Sequence, residues 1–332
     1  MTAKQGDPAI EHPVVSVGVP VYNGERYMEA CLKSIQDQTL TRWECVVVNN
    51  RSTDRTAEIV QEFVDSDPRF RLYTYEEFAP VERNWNRLYR HVSEGPEYFK
   101  VVQADDIIYP EALEEMVSLM DRNPQTGMCS SYRINGLEVD CDGLNYFDGS
   151  VFSGRELLHR HLKGEIDLTG AMTTPLFRRS VIEQLPTFPD VFDETDYHLD
   201  TLLCYEMMHL ADVAFVYKVL SITRWHEEAG TMKTVRLKTF MNGQENRLHR
   251  FKEFYPDLEP MYRNHRLVYA YTLFKQRLIG NREALQWHKK YLKRPFTFSE
   301  KLKAILLKNG LVWRISLLFG GTGGASPAAN LN

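Results

Sequence analysis

The first third of the chain repeats one rhythm, and that rhythm leaves few folds open. Val14–Val19 is a short apolar run of mostly β-branched residues, the pattern of a strand buried on both faces. Pro20-Val21-Tyr22-Asn23-Gly24 ends it, because Pro gives the ladder no donor and Asn-Gly supplies positive φ. Glu25–Gln38 then carries Tyr27, Ala30, Cys31, Ser34 and Ile35 at helical spacing. Trp43–Val48 is a second apolar run, followed by Asn49-Asn50-Arg51-Ser52-Thr53-Asp54, where Ser52 or Thr53 is placed to cap a helix from Asp54 to Val64. Phe70–Tyr75 predicts a third strand and Val81–His91 a helix. Successive strand–loop–helix units give a right-handed βαβ and a mostly parallel sheet. The loops after the first two strands then stand side by side at the carboxyl edge, where open α/β sheets bind ligands.

A fourth run, Tyr98–Val102, leads into two adjacent carboxylates, Asp105 and Asp106. Pro110, Glu111, Glu114 and Glu115 follow as the opening turns of a helix. Like charges side by side repel. A hard cation with oxygen ligands, Mg²⁺ or Mn²⁺, would neutralise them and could also hold a diphosphate. A solvated Asp-Asp turn before a helix is the plainer reading. The first loop is not GxGxxG, so a dinucleotide fingerprint is missing. Tyr22 reads as a platform for a flat base or as turn packing. Asn49 and Asn50 read as amides suited to a nucleobase edge or as an Asn-rich turn.

In combination these loops are more specific. A strand ending in Pro20-Val21-Tyr22-Asn23, one ending in Asn49-Asn50-Arg51-Ser52-Thr53-Asp54, and one ending in Ala104-Asp105-Asp106 resemble the family 2 glycosyltransferases of GT-A fold. The resemblance runs from Val14 to Ser130 and, more loosely, to Met232. It implies an α/β, Rossmann-like GT-A sandwich with a mostly parallel central sheet. It implies that Pro20, Tyr22, Asn23, Asn49, Asn50, Arg83 and Asp105 hold the nucleotide, with Asn50 at the base-recognising position. Asp106, Asp105 and His226, the last within Arg224-Trp225-His226-Glu227, are the implied metal ligands for Mn²⁺ or Mg²⁺. The chain departs from the family's usual pattern at Asn49, Asn50 and Gln103, where acids are common, and at Arg51, where Gly is.

Further along, Thr126–Ser131 reads as a strand, Asn135–Gly149 as a hairpin or surface excursion, and Leu157–Leu162 as a short helix. Thr169–Pro175 followed by Leu176-Phe177-Arg178 resembles the family's acceptor-side strand and its Arg; a salt-bridged helix cap explains Arg178 equally well. Phe192–Asp200 is a second acidic cluster before a helix at Thr201–Leu210 and a strand at Val213–Val219. The resemblance points to Asp200 as general base, with Asp196 the runner-up. Either acid is also an ordinary helix cap.

Composition sets outer bounds. A chain of 332 residues has room for about two domains, and 43% hydrophobic with 26% charged residues describes an ordinary soluble protein. A net charge of -5 argues against nucleic acid as partner. Met1–Pro13 is too polar for a signal peptide, and no apolar run approaches the ~20 residues a membrane span requires. Cys31, Cys45, Cys129, Cys141 and Cys204 show no pairing pattern and read as reduced thiols in a cytoplasmic protein.

The expected organisation is a lead-in at 1–13 and a GT-A domain at 14–232, with a nucleotide-binding half (14–130) and an acceptor-side half (131–232). A helical extension at 233–319 and a disordered tail at 320–332 follow. Phe298–Phe319, apolar with interspersed lysines, reads as an interfacial helix touching the inner face of the membrane or as a core helix with a basic face. The expected activity is inverting transfer, with Asp200 as base, from a nucleotide-diphospho-sugar, UDP-linked in the first instance. The acceptor is a hydroxyl of a glycan or lipid-linked glycan, as in polysaccharide biosynthesis. Two readings compete: a non-catalytic sugar-nucleotide binder with a degenerate site, and a sugar-phosphate nucleotidyltransferase, which should carry a Gly-rich, Arg-containing first loop that Pro20–Tyr27 does not provide.

Overall fold

The computed structural model describes residues 12–141, 143–188, 190–191, 198–226 and 236–308. The chain divides into two compact units, Met1–Ala229 and Gly230–Asn332.

The first unit opens β1 (Val15–Val21), α1 (Met28–Gln36), β2 (Trp43–Asn49), α2 (Thr56–Ser66), β3 (Phe70–Thr74), α3 (Val81–Tyr89) and β4 (Tyr98–Val101). It continues with β5 (Ile107–Ile108), α4 (Ala112–Asp121), β6 (Thr126–Asn135), β7 (Glu138–Asp140), β8 (Val151–Phe152), α5 (Gly154–Leu162), β9 (Leu176–Arg178), α6 (Arg179–Ile182), α7 (Leu199–Leu210) and β10 (Asp212–Thr223). The sheet order is β3-β2-β1-β4-β9-β6-β10-β5, with β7 on β6 and β8 on β10. The long pairings, β1 with β2 and β4, β2 with β3, and β6 with β10, are parallel; the antiparallel ones are short.

The sequence explains this order. Both faces of β1 and β2 are covered, so their runs are largely apolar, and the buried Ser16 donates to the buried Glu44 at 2.6 Å. Val15, Val17 and Val19 join a core with Met28, Cys31, Leu32 and Ile35 of α1 and Met116 and Met120 of α4. Gly18 lets α3 press against β1: an added Cβ would lie 2.7 Å from Leu88 Cδ2. The chain winds outward from β1 to β3 and returns to the other side of β1 as β4. That reversal makes a topological switch point at the carboxyl ends of β1 and β4.

β1 runs through Val21 and is not broken at Pro20. Its pairing with β4 ends at Gly18, so Pro20 is flanked by β2 and leaves no ladder bond unmade on the other side. β6 and β10 also run longer than expected. The 135–149 excursion is a hairpin, β7, followed by a 3₁₀ turn at Tyr146–Asp148.

The second unit has α8 (Phe240–Phe251), α9 (Glu259–Leu278), α10 (Arg282–Tyr291) and α11 (Phe298–Lys308). Met241, Tyr269, Ala270, Phe296 and Ala304 form its apolar core. Beside that core lies an ionic one. Glu245, fully buried, accepts from Arg266 (2.9 Å), Arg294 (2.9 and 2.7 Å) and Tyr262 (3.1 Å). Arg266 also donates to Glu300 at 2.5 and 3.1 Å, tying α9 to both α8 and α11. The expected interfacial helix is described as far as Lys308; 309–332, with the expected tail, lie outside the described residues. Among the described residues no helix is long and apolar enough to cross a membrane.

Candidate active site

The first two loops are laced together. Asn23, at φ 51°, donates its backbone N–H to Ser52 Oγ (2.9 Å), and its Oδ1 accepts from Thr53 N (2.8 Å). Gly24 N donates to Thr56 Oγ1 (2.8 Å) and Glu25 N to Asp54 Oδ2 (3.0 Å). Arg51 sits at φ 63°, the left-handed region that Gly occupies without strain, so the turn is kept although its usual residue is absent.

The two asparagines both have partners within the protein. Asn49 Oδ1 accepts from Ser52 N (2.9 Å), a turn-closing bond, and the residue is buried. Asn50 Nδ2 donates to Ala79 O (2.8 Å) while its Oδ1 accepts from Ala79 N (2.9 Å). That closed pair uses one whole edge of the amide on the protein's own backbone, leaving one proton and one lone pair for anything else. An Asp here would have no proton for the Ala79 carbonyl, so the pairing is specific to Asn. Its structural result is to hold Phe78 beside Tyr22. The two rings meet edge to face at 4.9 Å and are 54% and 52% exposed, a paired aromatic rim over the loops. Arg83 lies exposed in the first turn of α3.

The acidic pair splits into two environments. Asp105 Oδ2 lies 3.0 Å from His226 Nε2, and the pair is partly exposed. Asp106 is 1% exposed. Its Oδ2 accepts from Thr173 Oγ1 (2.6 Å) and its Oδ1 from Arg224 N (3.3 Å). Burial, and then the charge of Asp105, pushes the Asp106 carboxyl up to about 7. Arg224 donates to the Asp105 carbonyl and covers the Tyr27 ring at 4.6 Å, and His226 packs on the same ring at 4.7 Å. Of the three expected metal ligands, Asp106 has both oxygens engaged from inside, and Asp105 and His226 are the side chains that converge.

These two groups fit an ion that arrives with its substrate. Among the described residues no group of three or more His, Cys, Asp or Glu could hold a metal unaided. A carboxylate oxygen and an imidazole nitrogen 3.0 Å apart can share one ion, with diphosphate oxygens completing the shell.

Asp200 lies in the first turn of α7, half-buried, and accepts from Thr201 N (2.7 Å). Among the described residues its bonds are local, and none links it to the Asp105–His226 pair. Asp196 is outside the described residues. Arg178 is a staple: its guanidinium donates to Thr126 O (2.8 Å), Met120 O (2.9 Å) and Glu97. Sequence reasoning missed Phe78, for which Phe-Ala-Pro before a helix gives no signal. It also missed Lys100, whose signal was available: a charged residue in the middle of a buried strand run.

Residues 16–185, about half of the chain, match the family described as Glycosyl transferase family 2, and the chain belongs to that family. It is 34% identical over 134 residues to the glycosyltransferase GlyA of Streptococcus pneumoniae serotype 4, covering 40% of this chain and 18% of GlyA. The chain spans just under half the length of other curated relatives it matches, 49% and 46%. Among solved structures it is similar to S. aureus TarS 1-349 in complex with UDP-GlcNAc, with TM-score 0.55, 18% identity, and 92% of this chain and 83% of that one covered. It is also similar to the mannosyltransferase PcManGT of Pyrobaculum calidifontis in complex with GDP-Man and Mn²⁺, with TM-score 0.56, 17% identity, and 93% and 90% covered. At these identities the likeness establishes the fold, a GT-A sandwich.

Proposed function

We propose that the protein is an inverting glycosyltransferase moving a sugar from a nucleotide-diphospho-sugar, UDP-linked in the first instance, to a hydroxyl of a glycan or lipid-linked glycan. The observation that carries this reading is the convergence of Asp105 and His226 at the switch point, next to the laced loops of β1 and β2. Tyr22 and Phe78 flank the base, and Asp105 and His226 would hold Mn²⁺ or Mg²⁺. A divalent ion held by them would offset charge on the departing diphosphate. Asp200 takes the proton of the acceptor hydroxyl as its oxygen attacks the anomeric carbon and the nucleoside diphosphate leaves.

The site of action is the cytoplasm, with a peripheral membrane contact through 298–319. In the described part of that stretch Phe298 and Leu302 are 81% and 46% exposed beside the exposed Lys301 and Lys303, an apolar and basic face suited to anionic lipid.

A donor screen reading release of free UDP or GDP in Mn²⁺ tests the reading. With a donor found, Asp200→Asn should cost ~10²–10⁴ in rate, roughly 3–5 kcal/mol of barrier, with donor affinity unchanged. If Asp200 only caps α7, Asn caps equally well and the variant stays active. The closed Asn50–Ala79 pair favours a second reading, a sugar-nucleotide binder without chemistry; donor binding with no turnover on any hydroxyl acceptor would select it.

A further inference from the structure

Lys100 stands in the middle of β4, fully buried. An ammonium in such a place is expensive, and a Leu or Val would fill a strand interior at no such cost. Its charge is met by three consecutive carbonyls, Thr173 O (2.7 Å), Thr174 O (3.1 Å) and Pro175 O (3.2 Å), which use all three of its protons. The turn so gripped leads into β9. From that turn the Thr173 hydroxyl accepts from Gln103 N (3.0 Å) and donates to Asp106 Oδ2 (2.6 Å). Asp106 in turn receives Arg224 N, two residues before His226. One buried chain thus joins Lys100, the 173–175 turn, Asp106 and the segment that sets His226 opposite Asp105.

We propose that Lys100 and Thr173 are positioning residues which, through Asp106 and Arg224, fix the Asp105–His226 gap and so set affinity for the divalent ion that accompanies a nucleoside diphosphate. This rests on the ion-and-diphosphate reading above. Supports of this kind cost 10–100-fold in metal affinity when removed from characterised metal sites.

The test is calorimetric, with UDP and GDP as probes across a Mn²⁺ series. Thr173→Val removes the hydroxyl and keeps the shape. It should raise the half-saturating Mn²⁺ by about 10–100-fold, and Thr173→Ser should restore the wild-type value. Lys100→Met should shift the same value in the same direction in whatever fraction folds. A Thr173→Val protein that melts earlier but needs no more Mn²⁺ would show a purely structural role and overturn the inference, while loss of Mn²⁺-dependent binding in Asp105→Ala keeps the parent reading. If wild type binds neither nucleotide with Mn²⁺, or Asp105→Ala binds normally, the parent reading falls and this inference with it.

Discussion

Each unit of the chain buries charge, and each settles it differently. In the second unit Glu245, Arg266, Arg294 and Glu300 neutralise one another. Arg294, then Arg266, holds the Glu245 carboxyl below its usual range against the pull of burial, and Arg266 brings Glu300 down to about 2. In the first unit Lys100 is met by carbonyls and Asp106 by a hydroxyl and an amide, all neutral. Burial moves both groups toward their uncharged forms, Lys100 down and Asp106 up, each to about 7. A self-neutralised cluster is complete and builds structure. A buried carboxylate held by neutral donors, beside the partly exposed Asp105, keeps its charge only at a cost that a cation bound at Asp105 would relieve. The difference separates a scaffold from a site better than burial does.

The largest effect should come from breaking the scaffold. Glu245→Ala removes the carboxylate that Arg266 and Arg294 share and should cost roughly 3–5 kcal/mol. Hydrogen exchange of the amides in 240–308 would register that loss, with Mn²⁺-dependent nucleotide binding intact. Next comes acid. Glu300 titrates near 4.5 in the unfolded chain and about 2 in the folded one, so its contribution is full above about pH 4.5 and lost as pH falls toward 2. The loss is at most on the order of 3 kcal/mol. Glu300→Gln should flatten the slope of stability against pH in that window and leave it unchanged above pH 6. A smaller effect belongs to the aromatic rim. Phe78→Ala should weaken nucleotide binding by about 1–3 kcal/mol through lost stacking, with no change in Mn²⁺ dependence. An unchanged Kd would return Phe78 to surface packing.

Much of the first unit could be read from the chain because its determinants are local. Apolar β-branched runs and helix spacing gave the β1–β4 half, since strands covered on both faces are mostly apolar, with Ser16, Glu44 and Lys100 among the buried exceptions. The carboxylate pair and His226 were legible as residues, but their division of labour was not. Asp105 and Asp106 are neighbours in sequence, and only the turn geometry sends one outward and the other toward Thr173, 67 residues away. The pairing of Asn50 was not legible for a related reason: its partner is the Ala79 backbone, and a main-chain partner leaves no mark in the sequence. The helical extension expected from residue 233 did not reveal the Glu245 cluster, whose members come from α8, α9, α11 and the segment before α11 and meet only through packing.

The most direct measurement compares Asp105→Ala with Glu300→Gln by titrating UDP and GDP into each, with Mn²⁺ and with a chelator. Wild type and Glu300→Gln should bind one nucleotide tightly with Mn²⁺ and at least tenfold more weakly without it, a difference of about 1.4 kcal/mol or more. Asp105→Ala should bind weakly in both conditions while unfolding at the wild-type temperature or above. Binding that ignores Mn²⁺ in the wild type, or that survives unchanged in Asp105→Ala, would contradict the account.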